Sequence, residues 1–143
     1  MIISNNLEKA KQEIKNSKEK PLIVKSQNEV FNRKILEYGN FSSLLLNYHR
    51  SRDGLKSLDS DINHVLAKIA KKNNVSFAYI LEELRSLEKK DRAIFLSRIR
   101  QNIKICRKSG AKIKLFGIKD SKDAFSLMLS LGSSTNQAKE AIA

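Results

Sequence analysis

The chain has 143 residues, about the length of one domain, and 41% of them are hydrophobic. Its 28 lysines and arginines against 15 acidic residues give a net charge of +13, which predicts a polyanionic partner, nucleic acid before membrane. No apolar run reaches the roughly 18 residues of a membrane span, and the N-terminus is too acidic and too interrupted for a signal peptide. The single cysteine, Cys106, excludes an internal disulfide and fits a reducing compartment, so we expect a cytoplasmic protein with no membrane partner.

The first third of the chain predicts a helix, a strand, a second helix and a second strand. The first helix is polar with a thin apolar edge, and Pro21 after it introduces the first strand. The second helix carries apolar residues three and four apart and ends at Gly39, which suits the left-handed backbone after a helix. These elements are predicted at residues 5–20, 22–24, 26–39 and 43–46, and a polar loop follows at residues 47–60.

Residues 61–80 predict a helix, a tight turn and a strand. Apolar side chains recur there at i, i+3, i+4 and i+7, the spacing of one helix face: Ile62, Val65, Leu66 and Ile69. The side-chain oxygens of Asp59, Ser60 and Asp61 are available to cap the first turn. Lysines crowd the last turn, where cations complement the helix dipole, and residues 75–80 form an apolar run typical of a buried strand.

The rest of the chain predicts a long basic helix, a fourth strand and two more helices. Apolar residues three and four apart carry the long helix to about Ser109, and Gly110 ends it. The fourth strand is predicted at residues 111–116. A helix then opens at Ser121, and a last short helix begins after a cap at Ser133 or Ser134.

Because strands and helices alternate, the sequence predicts an α/β protein with a mainly parallel sheet. Four strands are too few for a closed eight-stranded barrel, which takes about 200 residues or more. We therefore expect a partial TIM-barrel-like βα repeat in a single domain, with a polar helix at residues 1–20 and a core at residues 21–143. The open edges of such a sheet need cover, from the helix at residues 5–20 or from a partner chain.

Several stretches, taken in order, resemble one protein family. They are D-I-N-H-V-L-A-K-I with the strand after it, the helix D-R-A-I-F-L-S-R-I-R-Q-N-I-K-I-C-R-K-S-G, and the final segment that begins G-I-K-D-S-K-D-A-F. From about Pro21 to Ala143 the chain resembles archaeal ribonuclease P protein component 3. The resemblance implies a TIM-barrel-like subunit of the ribonucleoprotein that removes 5′ leaders from precursor tRNA, in which the RNA is catalytic.

The resemblance implies three partners: the catalytic RNA, precursor tRNA and ribonuclease P protein component 2. It implies no cofactor bound by the protein itself, with Mg²⁺ on the RNA. Two features depart from the family. The family's front end is longer, with additional βα units, and a family loop is shortened here at residues 116–119. We therefore expect an incomplete barrel that is shortened at its N-terminus.

His64 lies at the flank of the helix predicted after residue 61. One interpretation is structural: a half-buried histidine that bonds to a nearby backbone group or carboxylate. The family resemblance instead favours an RNA contact, with Lys68 one turn later on the same side. A metal ligand is the third interpretation.

A stripe of cations follows the long helix at i, i+4, i+7 and i+8: Arg100, Lys104, Arg107 and Lys108. Such a stripe is often only a solvated face. Solvated helices, however, usually mix both signs of charge to form i, i+4 pairs, whereas residues 85–122 hold 13 lysines and arginines against three acids. We therefore predict that part of this stripe contacts phosphates.

Ligands of barrels and open α/β sheets meet the loops at the carboxyl ends of the strands. Those loops are predicted at residues 25–27, 47–52, 81–85 and 117–122. Lys139 matches a lysine of the family. The full set of predicted RNA-binding residues is His64, Lys68, Arg85, Arg100, Lys104, Arg107, Lys112, Lys114, Lys119, Lys122 and Lys139.

No catalytic or metal-binding residue is predicted. The sequence has only two histidines, His49 and His64, and no H-x-H, C-x-x-C or glycine-rich phosphate loop. We expect an endoribonuclease subunit that is inactive alone. Two alternatives stay open: a small α/β phosphate-binding enzyme domain acting on nucleotides or sugar phosphates, and a DNA-binding regulator that uses residues 133–142 in a helix-turn-helix.

Overall fold

A computed structural model describes residues 1–46 and 62–143. The described residues form a mixed α/β fold with four strands and seven helices, in a partial TIM-barrel-like arrangement. The strands are β1 (Ile23–Lys25), β2 (Ser43–Leu45), β3 (Ser76–Ile80) and β4 (Ile113–Phe116). The helices are α1 (Leu7–Asn16), α2 (Glu29–Tyr38), α3 (His64–Lys72), α4 (Leu81–Ser86), α5 (Lys89–Ser109), α6 (Ser121–Ser130) and α7 (Thr135–Ile142).

The sheet is parallel throughout, with the strand order β1-β2-β3-β4. One row of side chains crosses all four strands and is buried: Val24, Leu44, Phe77 and Ile113. Neighbouring strands in the chain are neighbours in the sheet, as successive right-handed βα units produce. The predicted α/β class and parallel sheet are confirmed.

Helices α2, α3 and α5 lie side by side, in that order. Asn73 after α3 donates from Nδ2 to the carbonyl of Leu36 in α2 at 2.6 Å, and α3 packs against α5. Gln137 of α7 donates from Nε2 to the carbonyl of Ile103 in α5 at 3.1 Å. These side-chain bonds link α3 to α2 and α7 to α5. No helix in the described ranges is long and apolar enough to cross a membrane.

The helix after residue 61 starts later than predicted and buries most, but not all, of the predicted face. Asn63 caps it, since its Oδ1 accepts from the amide of Leu66 at 2.9 Å. Leu66, Ala67 and Ala70 are buried, whereas Val65 is 52% exposed. Ile62 and Leu66 are buried and Ile69 packs against the core as predicted, whereas the place of Val65 was wrong. The two alanines take its place and allow α3 to pack closely. The predicted caps Asp59, Ser60 and Asp61 lie outside the described residues.

The β1 edge of the sheet is covered by the N-terminal residues rather than by α1. The amide of Ile2 donates to the carbonyl of Ile23, and the amide of Lys25 donates to the carbonyl of Ile2, both at 2.8 Å. Helix α1 packs against α2 instead. The expectation that the helix covers this edge was therefore wrong, because residue 2 already occupies the hydrogen-bonding positions of the strand.

Candidate nucleic-acid interface

Helix α5 presents a continuous basic face to solvent. It is 21 residues long, which corresponds to about 31 Å, and it returns from the carboxyl ends of the strands to their amino ends. Phe95, Ile99, Ile103 and Cys106 bury its inner face. Its outer face carries the predicted stripe, all of it exposed: Arg100, Lys104, Arg107 and Lys108.

One arginine of the basic segment belongs to the interior. Arg98 is only 6% exposed, and its guanidinium carbon lies 5.0 Å from the centre of the Phe95 ring. One turn later, Asn102 is fully buried and donates from Nδ2 to the hydroxyl of Tyr79 on β3. The spacing with Phe95 and Ile99 places both residues within the apolar stripe of the helix, so the sequence holds a signal for their burial. Arg98 therefore does not contribute a surface cation.

Five cations gather where α3 and α5 end and β4 begins, and we call them the amino-end basic cluster: Lys71, Lys72, Arg107, Lys108 and Lys112. All five are exposed. The last turns of α3 and α5 each supply two of these cations, in the place where a positive charge is favourable next to a helix dipole. Lys112 lies outside both helices, immediately before β4, so the dipole of a helix does not account for it.

A small cavity of about 110 Å³ opens within this cluster. Its polar lining consists of Lys71, Asn74, Ser76 and Lys112, and none of its lining residues is acidic. Asn74 has a left-handed backbone (φ 55°), and the amide of Val75 closes the turn on the carbonyl of Ala70 at 2.9 Å. The turn from α3 to β3 thus places Asn74 and Ser76 at the same cavity as two lysines.

Gly110 allows Lys71 to reach the end of α5. Its φ of +83° lies in the left-handed region, and a Cβ there would stand 2.5 Å from Lys71 Nζ. The side chain of Lys71 therefore occupies the space that a larger residue at 110 would take. Within residues 1–46 and 62–143, neither Lys71 nor Lys112 forms an ion pair.

The carboxyl ends of the strands carry a mixed charge. Lys119 and Lys122 are exposed there, but Asp120 caps α6 by accepting from the amides of Lys122 and Asp123. Arg85 is exposed at the end of α4, whose first turn contains two glutamates. Acidic residues are favoured at helix starts for the same electrostatic reason that lysines are favoured at helix ends. The predicted loop at residues 47–52 lies outside the described residues.

The remaining predicted residues are spread over the molecule. His64 and Lys68 are exposed on α3, and His64 forms no hydrogen bond within the described parts of the chain, so the half-buried, bonded histidine is wrong. Lys114 is half-buried on β4, in the register row of Lys25, and Lys139 is exposed on α7. The eleven residues thus do not form one site. Among those described, Arg107 and Lys112 join the amino-end basic cluster.

Sequence reasoning missed Lys71 and Asn74 as site residues. In the sequence the helix dipole accounts for Lys71 and the turn accounts for Asn74, and nothing local connects them with Lys112, which lies about forty residues further on. Only the parallel pairing of β3 with β4 brings these segments together. In the described ranges, no group of three or more histidine, cysteine, aspartate or glutamate side chains is placed to hold a metal ion.

Comparison with solved structures gives an informative likeness. The chain is similar to a chain in the cryo-EM structure of archaeal ribonuclease P with mature tRNA, with a TM-score of 0.78 and 21% identity. The similarity covers 98% of this chain and 62% of that chain, so this chain spans about three fifths of its length. At this identity the likeness shows a shared fold. No protein-family model and no curated protein matches the chain.

Proposed function

We propose that the protein is a protein subunit of ribonuclease P, similar to archaeal component 3, that supports the catalytic RNA in removing 5′ leaders from precursor tRNA. The observation that carries the proposal is the fold likeness, which extends over 98% of the chain to a component of an archaeal ribonuclease P complex. The ordered sequence resemblance from about Pro21 to Ala143 supports the same family independently of the structure.

The charge supports RNA as the partner. The net charge is +13, and the outer face of α5 and the amino-end basic cluster present exposed cations without interleaved acids. Folded RNA crowds phosphates together, and each lysine or arginine that neutralises one releases counterions and favours binding. Aromatic stacking on bases contributes little, because Phe31, Phe41, Phe77 and Phe95 are buried in the core.

The mechanism is electrostatic and architectural. Lysines and arginines along α5 neutralise neighbouring RNA strands, which stabilises the folded catalytic RNA and lowers its demand for Mg²⁺. The RNA and its metal ions then cleave the phosphodiester, and the protein supplies no catalytic group. By the family's pattern, the protein assembles with ribonuclease P protein component 2 in the cytoplasm.

The salt dependence of binding tests the choice of RNA over DNA. We expect the chain to prefer a structured RNA over duplex DNA of equal length, with a steep fall of log K against log salt. Replacing Arg100 and Lys104 by glutamine should make the slope for RNA shallower by about 1 for each phosphate that the protein no longer neutralises. The matched control replaces Lys15 and Lys34, exposed lysines of α1 and α2, and should leave the slope unchanged.

Absence of RNA binding at moderate salt contradicts the proposal. An equal preference for duplex DNA favours the DNA-binding alternative. Hydrolysis of a nucleotide or sugar phosphate by the chain alone favours the phosphate-binding enzyme, although the cavity between α3 and α5 contains no carboxylate or imidazole to act as acid or base.

A further inference from the structure

We infer that the cavity between the ends of α3 and α5 is a binding site for a single phosphate group of an RNA backbone, held by Lys71 and Lys112. This inference deepens the proposed function and rests on it for the choice of RNA. It moves the phosphate contact to the amino ends of the strands. Barrels and open α/β sheets bind ligands at the opposite ends, where the sequence also placed them.

The size and lining of the cavity fit a phosphate. Its volume of about 110 Å³ is several times the roughly 10–15 Å³ that one water molecule needs, so a group of several heavy atoms has room there. Two ammonium groups offer charge, while the Asn74 amide and the Ser76 hydroxyl are hydrogen-bond donors that form no side-chain bond within the described residues. A backbone phosphate is negatively charged and accepts hydrogen bonds, and it would meet four hydrogen-bond donors in this cavity.

Lys71 is positioned for this role by the backbone of α5. Its ammonium lies against Gly110, where a Cβ would stand only 2.5 Å away, and it lacks a carboxylate partner in the described parts of the chain. Lys112 is two residues beyond Gly110 and is fixed by the pairing of its carbonyl with the amide of Phe77 at 2.9 Å. Both lysines are thus held beside the cavity by ordered backbone.

Two wider clefts near the N-terminus fit a phosphate less well. They are lined by Lys9, but also by Glu13, and one of them by Glu19 as well. A carboxylate beside the site repels a phosphate, whereas the lining of the cavity between α3 and α5 contains none. Glu37, in the last turn of α2, does not line the cavity and is paired with Arg33 at 3.2 Å.

Amide chemical shifts of the ¹⁵N-labelled full chain, titrated with inorganic phosphate and then with a short RNA hairpin, locate the site. We expect both probes to shift the signals of Asn74, Gly110 and Lys112 first, at lower concentration for the hairpin. Shifts confined to residues 117–122 would overturn the assignment. Shifts at the cavity that appear with inorganic phosphate but not with the hairpin would indicate a free-anion site and would overturn the RNA assignment.

The salt dependence of binding to the same hairpin then measures how much the two lysines contribute to phosphate neutralisation. Replacing Lys71 and Lys112 together by glutamine should lower the slope by about 1, because the site neutralises one phosphate, while Lys15→Gln with Lys34→Gln should not change it. The charge-retaining pair Lys71→Arg with Lys112→Arg should keep most of the affinity. This pair also shows whether a loss reflects charge or misfolding, and its urea unfolding curve checks the fold directly.

The outcomes separate the site from the function. If the chain binds the hairpin and activates the catalytic RNA but the glutamine pair keeps the parent slope, the phosphate site is wrong and the proposed function stands. If the shifts and the slope change appear at the cavity but the chain does not activate the catalytic RNA, the site stands and the ribonuclease P assignment is wrong.

Discussion

The two ends of the sheet carry different charge, although the same helices connect them. At the carboxyl ends, Lys119 and Lys122 stand beside Asp120 and Asp123, because α6 begins there and its first turn favours acids. At the amino ends, α3 and α5 finish, and their last turns supply four cations without an acid. In this protein the ends of α3 and α5 thus make one end of the sheet basic, while the start of α6 mixes the charge of the other.

The helix dipole does not explain the whole difference. It accounts for cations in the last turns of α3 and α5, but Lys112 belongs to no helix and still lines the cavity of the basic end. A polyanion that approaches the amino ends meets five exposed cations: Lys71, Lys72, Arg107, Lys108 and Lys112. We therefore expect the strongest RNA contacts to lie away from the end where barrel enzymes work.

The largest expected effect is on the free energy of unfolding and comes from shortening one side chain in the core between the two ends. Phe77 is fully buried at the centre of the sheet, and Phe77→Ala should lower the free energy of unfolding by about 3–5 kcal/mol, through reduced burial and the remaining cavity. Urea unfolding measures it. The control is Val65→Ala, at a position that is 52% exposed, which should change stability by less than about 0.5 kcal/mol. A large loss of stability at Val65 would indicate that its side chain is buried, as the sequence predicted.

Alanine substitutions at two glycines distinguish the effect of backbone strain from the effect of a lost contact at the basic end. Gly110 and Gly132 both have positive φ, +83° and +96°, so alanine at either should cost about 1–2 kcal/mol. Only at Gly110 does the new Cβ meet Lys71, since a Cβ at 132 has nothing within 4 Å. Gly110→Ala should therefore also weaken RNA binding, measured at equal folded fraction. Equal binding by the two variants would contradict the position of Lys71.

Removing one cation from each end in turn compares the contributions of the two ends to RNA affinity. Lys108→Gln removes a cation from the basic end and should weaken RNA binding about fivefold to tenfold near 0.1 M salt, the effect of neutralising one phosphate fewer. Lys122→Gln should cost less, because Asp120 and Asp123 already offset that charge. Filter binding of both variants at several salt concentrations gives the ratio. A larger loss of affinity for the Lys122 variant would reverse the order of the two ends.

Much of the fold follows from the sequence, and most of the site does not. Helix α5 was predictable because Ile99, Ile103 and Cys106 recur three and four residues apart, and the strands were predictable as short apolar runs. On α3 the place of Val65 was not, since Ala67 and Ala70 gain burial from their fit rather than from their hydrophobicity. The cavity was not predictable either, because Lys71 and Lys112 meet only through the pairing of β3 with β4.

The smallest effect at neutral pH concerns Cys106, which lies in the core between the two ends. Burial raises the pKa of its thiol from 9.0 to about 12. The neutral thiol is thus favoured in the folded state, so its contribution to stability is fully present below pH 9 and is lost as the pH rises toward 12. Iodoacetamide at about pH 8, below the ordinary thiol pKa, should label the thiol only after unfolding in urea. Fast labelling of the folded chain would contradict its burial.

Precursor-tRNA cleavage by the catalytic RNA as a function of Mg²⁺, with and without this chain and its proposed partner, ribonuclease P protein component 2, decides the assignment to ribonuclease P. We expect that adding the chain raises cleavage at low Mg²⁺, that the chain alone cleaves nothing, and that Lys15→Gln with Lys34→Gln activates as well as the parent. An Mg²⁺ dependence that is the same with and without the chain would contradict the assignment.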